Sequence, residues 1–150
     1  MEKSQGSILI TGATGFIGGR LTQRLLNDGF SVRCMVRRTS SAMPDGAEII
    51  QGDMLEPGTL GQTLVDIDTA YYLVHSMSGG RAGFERRDRE AAENFVAAAN
   101  RANVRRVIYL GGLGETGDDL SEHLKSRLAV ADILKRSGSS PRYRHRYPCP

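Results

Sequence analysis

Residues 11–18 read Thr-Gly-Ala-Thr-Gly-Phe-Ile-Gly, with a glycine at every third position from residue 12. This run follows Ser7–Thr11, a short segment with the apolar composition of a buried strand. It leads into Gly15–Asn27, where Ile17, Leu21 and Leu25 recur on one face at the spacing of a helix. A glycine-rich turn between a strand and a helix therefore decides the fold of this chain.

The three glycines of this turn have different tasks. Gly12 permits the tight turn out of the strand, and Gly15 lets the backbone approach a pyrophosphate. Gly18 lets the helix pack closely on the sheet. The first N–H groups of the helix would then bind the phosphates. An ordinary tight turn is the alternative for the glycines alone, but their position between a strand and a helix favours dinucleotide binding.

The rest of the chain alternates between strand-like and helix-like segments. Strands are predicted at Ser31–Val36, Ala47–Gln51, Thr69–Val74 and Arg106–Leu110, and helices at Pro57–Val65, Phe84–Asn103 and Leu120–Ser137. Gly29 is the predicted stop of the first helix. Strands that alternate with helices imply right-handed crossovers and a parallel sheet. We therefore predict an α/β fold, a doubly wound parallel sheet of Rossmann type in three layers (α/β/α) with the strand order 3-2-1-4-5.

Composition and charge divide the chain into a body and a tail. With 150 residues, 39% hydrophobic and 25% charged, the chain suits one globular domain, which we assign to residues 1–138. Residues 139–150 show neither helical nor strand periodicity and are expected to be an irregular tail, disordered or non-native. This tail holds Arg142, Arg144 and Arg146; without these three, the 20 basic residues become 17 and equal the 17 acidic ones. A neutral body argues against nucleic-acid binding.

Other broad classes of protein are also disfavoured. No apolar run approaches the ~20 residues of a membrane-spanning helix, and the polar start of the chain does not resemble a secretory signal. Two cysteines, Cys34 and Cys149, are too few for a disulfide scaffold or a cysteine-rich zinc site. We therefore expect a cytoplasmic protein with no metal site and no membrane segment.

The residues after the second strand indicate which dinucleotide is bound. A site selective for NAD usually has an acidic residue roughly 20 positions after the glycines, which binds the ribose 2′-hydroxyl. Here the strand ends in Val36-Arg37-Arg38, and no acid occurs before Asp45. Two guanidinium groups suit a 2′-phosphate, so NADP(H) is favoured over NAD(H). A solvated basic strand end is the alternative.

Gly52-Asp53-Met54 follows the third predicted strand. Asp53 could accept a hydrogen bond from the adenine amino group while Met54 covers the adenine ring. Alternatively, Asp53 only caps the following helix.

Several of these motifs together resemble one known family. The run Ile8–Gly18 is similar to the opening of the extended and atypical short-chain dehydrogenase/reductases. Val36-Arg37-Arg38, Gly52-Asp53-Met54 and Asn103–Leu110 fit the same family in the same order. The NmrA-like branch is the most similar, over about residues 7–138. The resemblance implies an NADP(H)-binding Rossmann domain of an oxidoreductase or a nucleoside-diphosphate-sugar epimerase-like protein.

The resemblance also assigns roles to individual residues. Residues 14–17 would hold the pyrophosphate, Arg37 the 2′-phosphate, and Asp53 with Met54 the adenine. Val74 and His75 would lie near the nicotinamide ribose, although His75 could also be only a polar strand terminus. The expected cofactor-binding residues are Gly12, Thr14, Gly15, Phe16, Ile17, Arg37, Arg38, Asp53, Met54, Val74 and His75.

Two departures from the family pattern leave the catalytic residues unassigned. Where active members carry a Tyr-x-x-x-Lys pair, this chain has His123, which could relay a proton, and Arg127, which could contact the ribose or a phosphate but would not serve as a general base. Alternatively, both are surface positions of a helix. Gly111-Gly112 replaces the usual Ser or Thr after the fifth strand. A module that senses NADP(H) without catalysis is therefore the alternative function.

The chain also departs from the family pattern in its length. Family members continue into further strands, so we expect a truncated or frame-shifted version of a longer protein, with the fifth strand at the edge of the sheet. An apolar edge strand invites self-association.

Overall fold

The computed structural model describes residues 6–39, 42–74, 81–111 and 122–138, without the side chains of residues 81, 82, 84, 122 and 123. The elements in chain order are β1 (Ser7–Thr11), α1 (Phe16–Asn27), β2 (Val32–Val36), β3 (Glu48–Gln51), a 3₁₀ turn (Pro57–Thr59), α2 (Leu60–Thr63), β4 (Ile67–Tyr72), α3 (Arg81–Arg101), β5 (Arg106–Tyr109) and α4 (Glu122–Leu134). The predicted tail, 139–150, lies outside the described residues.

The five strands form one parallel sheet in the order β3-β2-β1-β4-β5. Ile10 at its centre pairs with Cys34 of β2 on one side and with Tyr71 of β4 on the other. From β1 the chain adds β2 and β3 on one side of the sheet and then β4 and β5 on the other, so the strand order reverses between β1 and β4. Ligands bind at this point in folds of this type. The predicted fold class and strand order are confirmed.

The sheet carries helices on both faces, because side chains alternate along each strand. Ile8, Ile10 and Cys34 pack with Leu25 of α1 on one face. On the other face, Leu9 belongs to a larger cluster that contains buried residues of α2, α3 and α4. The three-layer arrangement follows from this alternation.

Aromatic packing fixes α3 on the second face. The Tyr72 ring is 1% exposed and meets Phe95 of α3 edge-on, with 5.2 Å between ring centroids. Tyr109 of β5 lies 5.9 Å from the same Tyr72 ring, also edge-on. The first contact joins α3 to β4, and the second joins β4 to β5.

Two helices end in the same left-handed cap. After α1, Gly29 has φ +84° and the N–H of Phe30 bonds to the Leu25 carbonyl at 3.0 Å, as predicted for a glycine stop. After α3, Asn103 takes the same role with φ +55°, and Val104 N–H bonds to Ala99 O at 3.0 Å. The prediction of a helix through Asn103 was therefore two residues too long.

Two further predicted boundaries were wrong. The predicted strand Thr69–Val74 is shifted, since β4 is Ile67–Tyr72 and the N–H of Leu73 bonds to the Thr11 hydroxyl instead of continuing the ladder. The predicted helix Pro57–Val65 is a 3₁₀ turn and a single α-turn. It ends where the Arg33 guanidinium binds the carbonyls of Thr63 and Val65, at 3.1 and 2.8 Å.

The last helix also differs at its C-terminal end. Of the predicted segment Leu120–Ser137, the first two residues lie outside the described residues and α4 ends at Leu134. The Ser137 hydroxyl donates to the Leu134 carbonyl at 2.8 Å, so it closes this end. Within the part of the chain that the structure describes, no helix has the length and apolarity to cross a membrane.

Candidate functional site

The glycine-rich turn is closely packed against the end of β4. Gly12 has φ +67°, and a Cβ at this position would lie 2.7 Å from the carbonyl oxygen of Leu73. A Cβ at Gly18 would overlap the Gly12 carbonyl, so Gly18 allows α1 to approach the backbone of the turn. The Gly15 N–H donates to the Gly12 carbonyl at 3.1 Å, which closes the turn. Only glycine fits at positions 12 and 18.

The N-terminus of α1 offers free donors to a ligand. Gly15 is the N-cap, and no side chain caps the helix there. The first intrahelical bond is made by Gly19, whose N–H donates to Gly15 O at 2.9 Å. The N–H groups of residues 16–18 therefore have no acceptor within the helix, and the positive end of the helix dipole lies beside them. Such an end binds phosphate well.

A cleft of about 520 Å³ opens beside this turn, within the ~300–1,000 Å³ range of small-molecule sites. Seven of the predicted cofactor residues line it together: Gly12, Thr14, Gly15, Arg37, Asp53, Met54 and Val74. Its other lining residues are Met35, Val36, Gly52, Leu55, Leu73, Arg87 and Ala91. The cleft thus joins the ends of β1, β2 and β4 with the segment after β3 and one face of α3.

Four predicted residues are placed differently. The side chains of Phe16 and Ile17 do not line the cleft and are 76% and 49% exposed, with the Arg20 guanidinium 4.4 Å from the centre of the Phe16 ring. Only their backbone N–H groups belong to the α1 terminus. Arg38 is exposed and outside the cleft lining. His75 lies outside the described residues.

Thr11 connects the turn to β4 and was not singled out from the sequence. Its side chain is fully buried, and its hydroxyl donates to the Tyr71 carbonyl at 2.9 Å. The same oxygen accepts the N–H of Leu73 at 3.1 Å. This pair of bonds fixes the chain that continues into Val74 and the cleft. A hydroxyl residue at the last position of β1, directly before Gly12, was the available signal.

Asp53 shapes the loop at the far side of the cleft. Its Oδ1 accepts the N–H of Leu55 at 2.8 Å, and its own N–H donates to the Thr59 hydroxyl at 2.9 Å. Glu56 occupies the N-cap position of the 3₁₀ turn, without a side-chain capping hydrogen bond, so Asp53 orders the loop before that turn and does not cap the helix as in the simpler alternative. The Asp53 residue is half-buried.

Met54 is held in place by α3. Its side chain is 4% exposed, and its carbonyl accepts a hydrogen bond from Asn94 Nδ2 at 2.8 Å. Arg87 and Ala91, which line the cleft, lie seven and three residues before Asn94 and share its helix face. Neither residue was predicted to belong to the site, because a helix periodicity does not reveal which face meets a cleft.

The region that would hold catalytic groups is described only in part. Tyr109 at the end of β5 donates its hydroxyl to the Arg127 carbonyl of α4 at 3.3 Å. The buried Ser126 hydroxyl donates to Asp88 Oδ2 of α3 at 3.1 Å. The side chain of His123 lies outside the described residues. Among the described residues, no cluster of three or more His, Cys, Asp or Glu side chains could hold a metal.

Burial raises the pKa of two side chains that belong to strands of the sheet. Removal from water raises the pKa of the Cys34 thiol, an effect that a hydrogen bond with Thr22 partly offsets. Removal from water, together with the nearby Asp88 and Tyr109, raises the pKa of the Tyr72 phenol. Neither residue lines the cleft, so both are groups of the core.

A parallel sheet with a glycine turn, an open helix N-terminus and a cleft at the reversal point defines a nucleotide-binding Rossmann domain. A protein-family model described as NAD(P)H-binding matches residues 12–140. The chain belongs to this family of NAD(P)H-binding domains, as its resemblance to the atypical short-chain dehydrogenase/reductases implied. Its cofactor is therefore a nicotinamide dinucleotide.

Known proteins with similar sequences or structures include dehydrogenases and reductases. A 3β-hydroxysteroid dehydrogenase/Δ5→4-isomerase of Mycobacterium tuberculosis is 32% identical over 132 residues, which are 76% of this chain and 35% of that protein. The structure of MoeE5 in complex with UDP-glucose and NAD has a TM-score of 0.71 and 26% identity, over 91% of this chain and 52% of that one.

The fold also matches the triphenylmethane reductase of Citrobacter sp. complexed with NADP(H). That structure has a TM-score of 0.74 and 21% identity, and it covers 89% of this chain and 47% of that one. The chain thus spans about half the length of these solved chains and about a third of the steroid dehydrogenase.

Proposed function

We propose that this chain binds NADP(H) in preference to NAD(H), in the cleft at the end of β1. The observation that carries the proposal is that Arg37 lines the same cleft as the turn Gly12–Gly15. A guanidinium at the end of β2 meets the adenosine ribose when the pyrophosphate lies at the start of α1. Arginine binds a phosphate dianion through paired, charge-assisted hydrogen bonds.

The sequence after Arg37 supports the same preference, because it contains no acidic residue before Asp45. NAD-selective sites use an acidic residue at this place to bind the ribose 2′-hydroxyl. Asp45, the first acid after β2, is exposed and does not line the cleft. The similar solved structures hold NAD in one case and NADP(H) in another, so Arg37 is the stronger guide to this chain.

We assign the remaining contacts by position in the cleft. The N–H groups of Phe16 and Ile17, with Gly12, Thr14 and Gly15, would bind the pyrophosphate. Asp53 and Met54 would contact the adenine. Val74 and His75 would lie beside the nicotinamide ribose. Arg38, outside the cleft lining, would add long-range positive charge only.

Isothermal titration of the full chain with NADPH and with NADH tests the preference. We expect tighter binding of NADPH, and we expect Arg37→Ala to weaken NADPH binding by about 10- to 100-fold, as the loss of hydrogen bonds to a charged group implies. NADH binding should change little. Arg101→Ala, at the exposed C-terminal end of α3, is the control. Equal affinities for both cofactors, unchanged in Arg37→Ala, would remove the assignment.

For the whole protein we propose oxidoreductase or nucleoside-diphosphate-sugar epimerase-like chemistry. A dehydrogenase relative and the reductase and UDP-glucose-bound neighbours support this class. The cofactor would supply the hydride chemistry, and the chain would orient it. A non-enzymatic module that senses NADP(H) is the alternative, favoured by His123 and Arg127 at the positions where active family members have Tyr and Lys.

Turnover separates these two functions. The full chain is incubated with NADPH and a panel of carbonyl compounds, and absorbance of the reduced cofactor is followed. Turnover that is lost in His123→Phe and retained in Arg101→Ala supports catalysis. Binding of NADPH without any turnover supports the sensing module.

We also propose that β5 is a surface for self-association and that the protein is cytoplasmic. Among the described residues β5 pairs only with β4, and Leu110 directly after it is 51% exposed. Sedimentation of the wild type and of Leu110→Lys tests the first point, since the added charge should shift an oligomer towards the monomer. An unchanged monomer in both would contradict it. Cell fractionation tests the proposed cytoplasmic location.

A further inference from the structure

Arg87 is a charged residue of the cleft for which the sequence indicates no role. It lies on α3, is exposed, and lines the same cleft as Met54, Leu55 and Ala91. These three residues are apolar, and we call them the apolar slot of the cleft. The cleft thus contains both an apolar slot and the Arg87 guanidinium.

The hydrogen bond from Asn94 to the Met54 carbonyl contributes to the orientation of α3 at this slot. Asn94, Ala91 and Arg87 are spaced by three and four residues, so they share one face of α3. Asn94 anchors that face to the loop after β3 at 2.8 Å, and Ala91 is 5% exposed beside Met54. One turn further on, Arg87 extends from the same face to the cleft. The slot is thus formed by a helix and a loop that this hydrogen bond joins.

The apolar side chains of this slot suit a flat aromatic ring. The phosphate-binding donors of the cleft that were predicted from the sequence belong to the turn at Gly12–Gly15 and to Arg37, whereas Arg87 shares a face of α3 with Ala91 of the slot. Arginine places its aliphatic stem along apolar surface and stacks its planar guanidinium on aromatic faces. We propose that Arg87 stacks on the adenine of the bound dinucleotide, with Met54 and Ala91 against the rest of the ring. This inference rests on the proposed cofactor site.

Variants of Arg87 that separate charge from planarity test the proposal. Arg87→Lys keeps the charge and removes the plane, and Arg87→Phe keeps a plane and removes the charge. If Arg87 stacks on adenine, Arg87→Lys weakens NADPH binding by roughly three- to tenfold, because an ammonium lacks the plane that stacks on the ring, while Arg87→Phe retains most of the affinity through aromatic stacking. The neighbouring exposed Arg86, which does not line the cleft, provides Arg86→Lys and Arg86→Phe as matched controls.

A second ligand locates the effect on the cofactor. Adenosine 2′,5′-bisphosphate contains the adenine and the 2′-phosphate but no nicotinamide. The loss in Arg87→Lys should be equally large for this ligand and for NADPH, measured by titration calorimetry on chains with unchanged circular dichroism. A loss with NADPH alone would move Arg87 to the nicotinamide half and overturn the proposal.

Two further outcomes would also overturn it. Full affinity in Arg87→Lys with a loss in Arg87→Phe would show that the positive charge is what matters, and full affinity in both would show no contact. Failure of the proposed function is distinct from these results, since the wild-type chain itself would then bind neither NADPH nor the bisphosphate.

Discussion

The hydroxyl of Thr11, the last residue of β1, donates to the carbonyl of Tyr71 in β4 across 2.9 Å. The same oxygen accepts the N–H of Leu73. One buried side chain therefore ends the β4 ladder and sets the path of the chain into the cleft.

Replacement of Thr11 by Val should destabilise the fold. Valine has nearly the same shape but leaves the Leu73 N–H without its acceptor, so we expect a loss of about 1–3 kcal/mol in the free energy of unfolding. Urea denaturation followed by circular dichroism measures it. Thr11→Ser keeps the hydroxyl and should lose less. Equal stability of Thr11→Val and the wild type would contradict this role.

Alanine at Gly12 should cost more than alanine at Gly29. Both glycines have positive φ, +67° and +84°, so each substitution pays a left-handed strain of about 1–2 kcal/mol. At Gly12 the new Cβ also lies 2.7 Å from the Leu73 carbonyl, whereas at Gly29 no atom is within 4 Å. The difference between the two urea midpoints isolates the steric part. Equal urea midpoints for the two variants would contradict this prediction and would show that the turn relaxes away from β4.

The contact between α3 and α4 can be tested at Ser126. Its buried hydroxyl donates to Asp88 Oδ2 at 3.1 Å, so Ser126→Ala should lower the free energy of unfolding by about 1–3 kcal/mol. Ser31→Ala, at an exposed position, is the control. In a double-mutant cycle with Asp88→Ala, which removes the acceptor, the two losses should not add. Strict additivity would mean that the two side chains act independently.

The buried Tyr72 predicts a loss of stability in alkali. Its raised pKa means that the folded chain keeps the phenol proton to a higher pH than the unfolded chain does. The stabilising effect is complete below about pH 10, the ordinary value for tyrosine, and declines as the pH rises further. Cys34 acts in the same direction because burial raises the pKa of its thiol.

Tyr72→Phe provides the measurement. The free energy of unfolding, determined in urea from about pH 9 to pH 11.5, should fall less steeply in this variant than in the wild type, because one of the titrating groups is gone. Identical slopes in the two proteins would show that Tyr72 does not contribute.

The strand order and the phosphate turn could be predicted because they rest on local patterns. Gly12, Gly15 and Gly18 lie at the spacing that the turn requires, and alternating strands and helices imply a parallel sheet. The end of β4 could not be predicted, since Leu73 leaves the ladder for a side chain 62 residues earlier in the chain.

The contribution of α3 to the cleft could not be predicted for a similar reason. Arg87 occurs in a strongly charged stretch, Glu85–Glu90, which is typical of a solvated helix face. Its place at the cleft depends on the orientation of α3 about its own axis, to which the bond from Asn94 to the Met54 carbonyl contributes. Such a contact between distant segments has no local sequence signal.

The lining of the cleft has a thermodynamic consequence. Residues 12–55 and residues 73–91 together supply the lining, so neither stretch of the chain contains it completely. A molecule that fills the cleft contacts both stretches, and it does not bind the unfolded chain, in which the two are apart. Saturating ligand should therefore raise the melting temperature of the whole domain, by an amount that grows with the logarithm of ligand concentration.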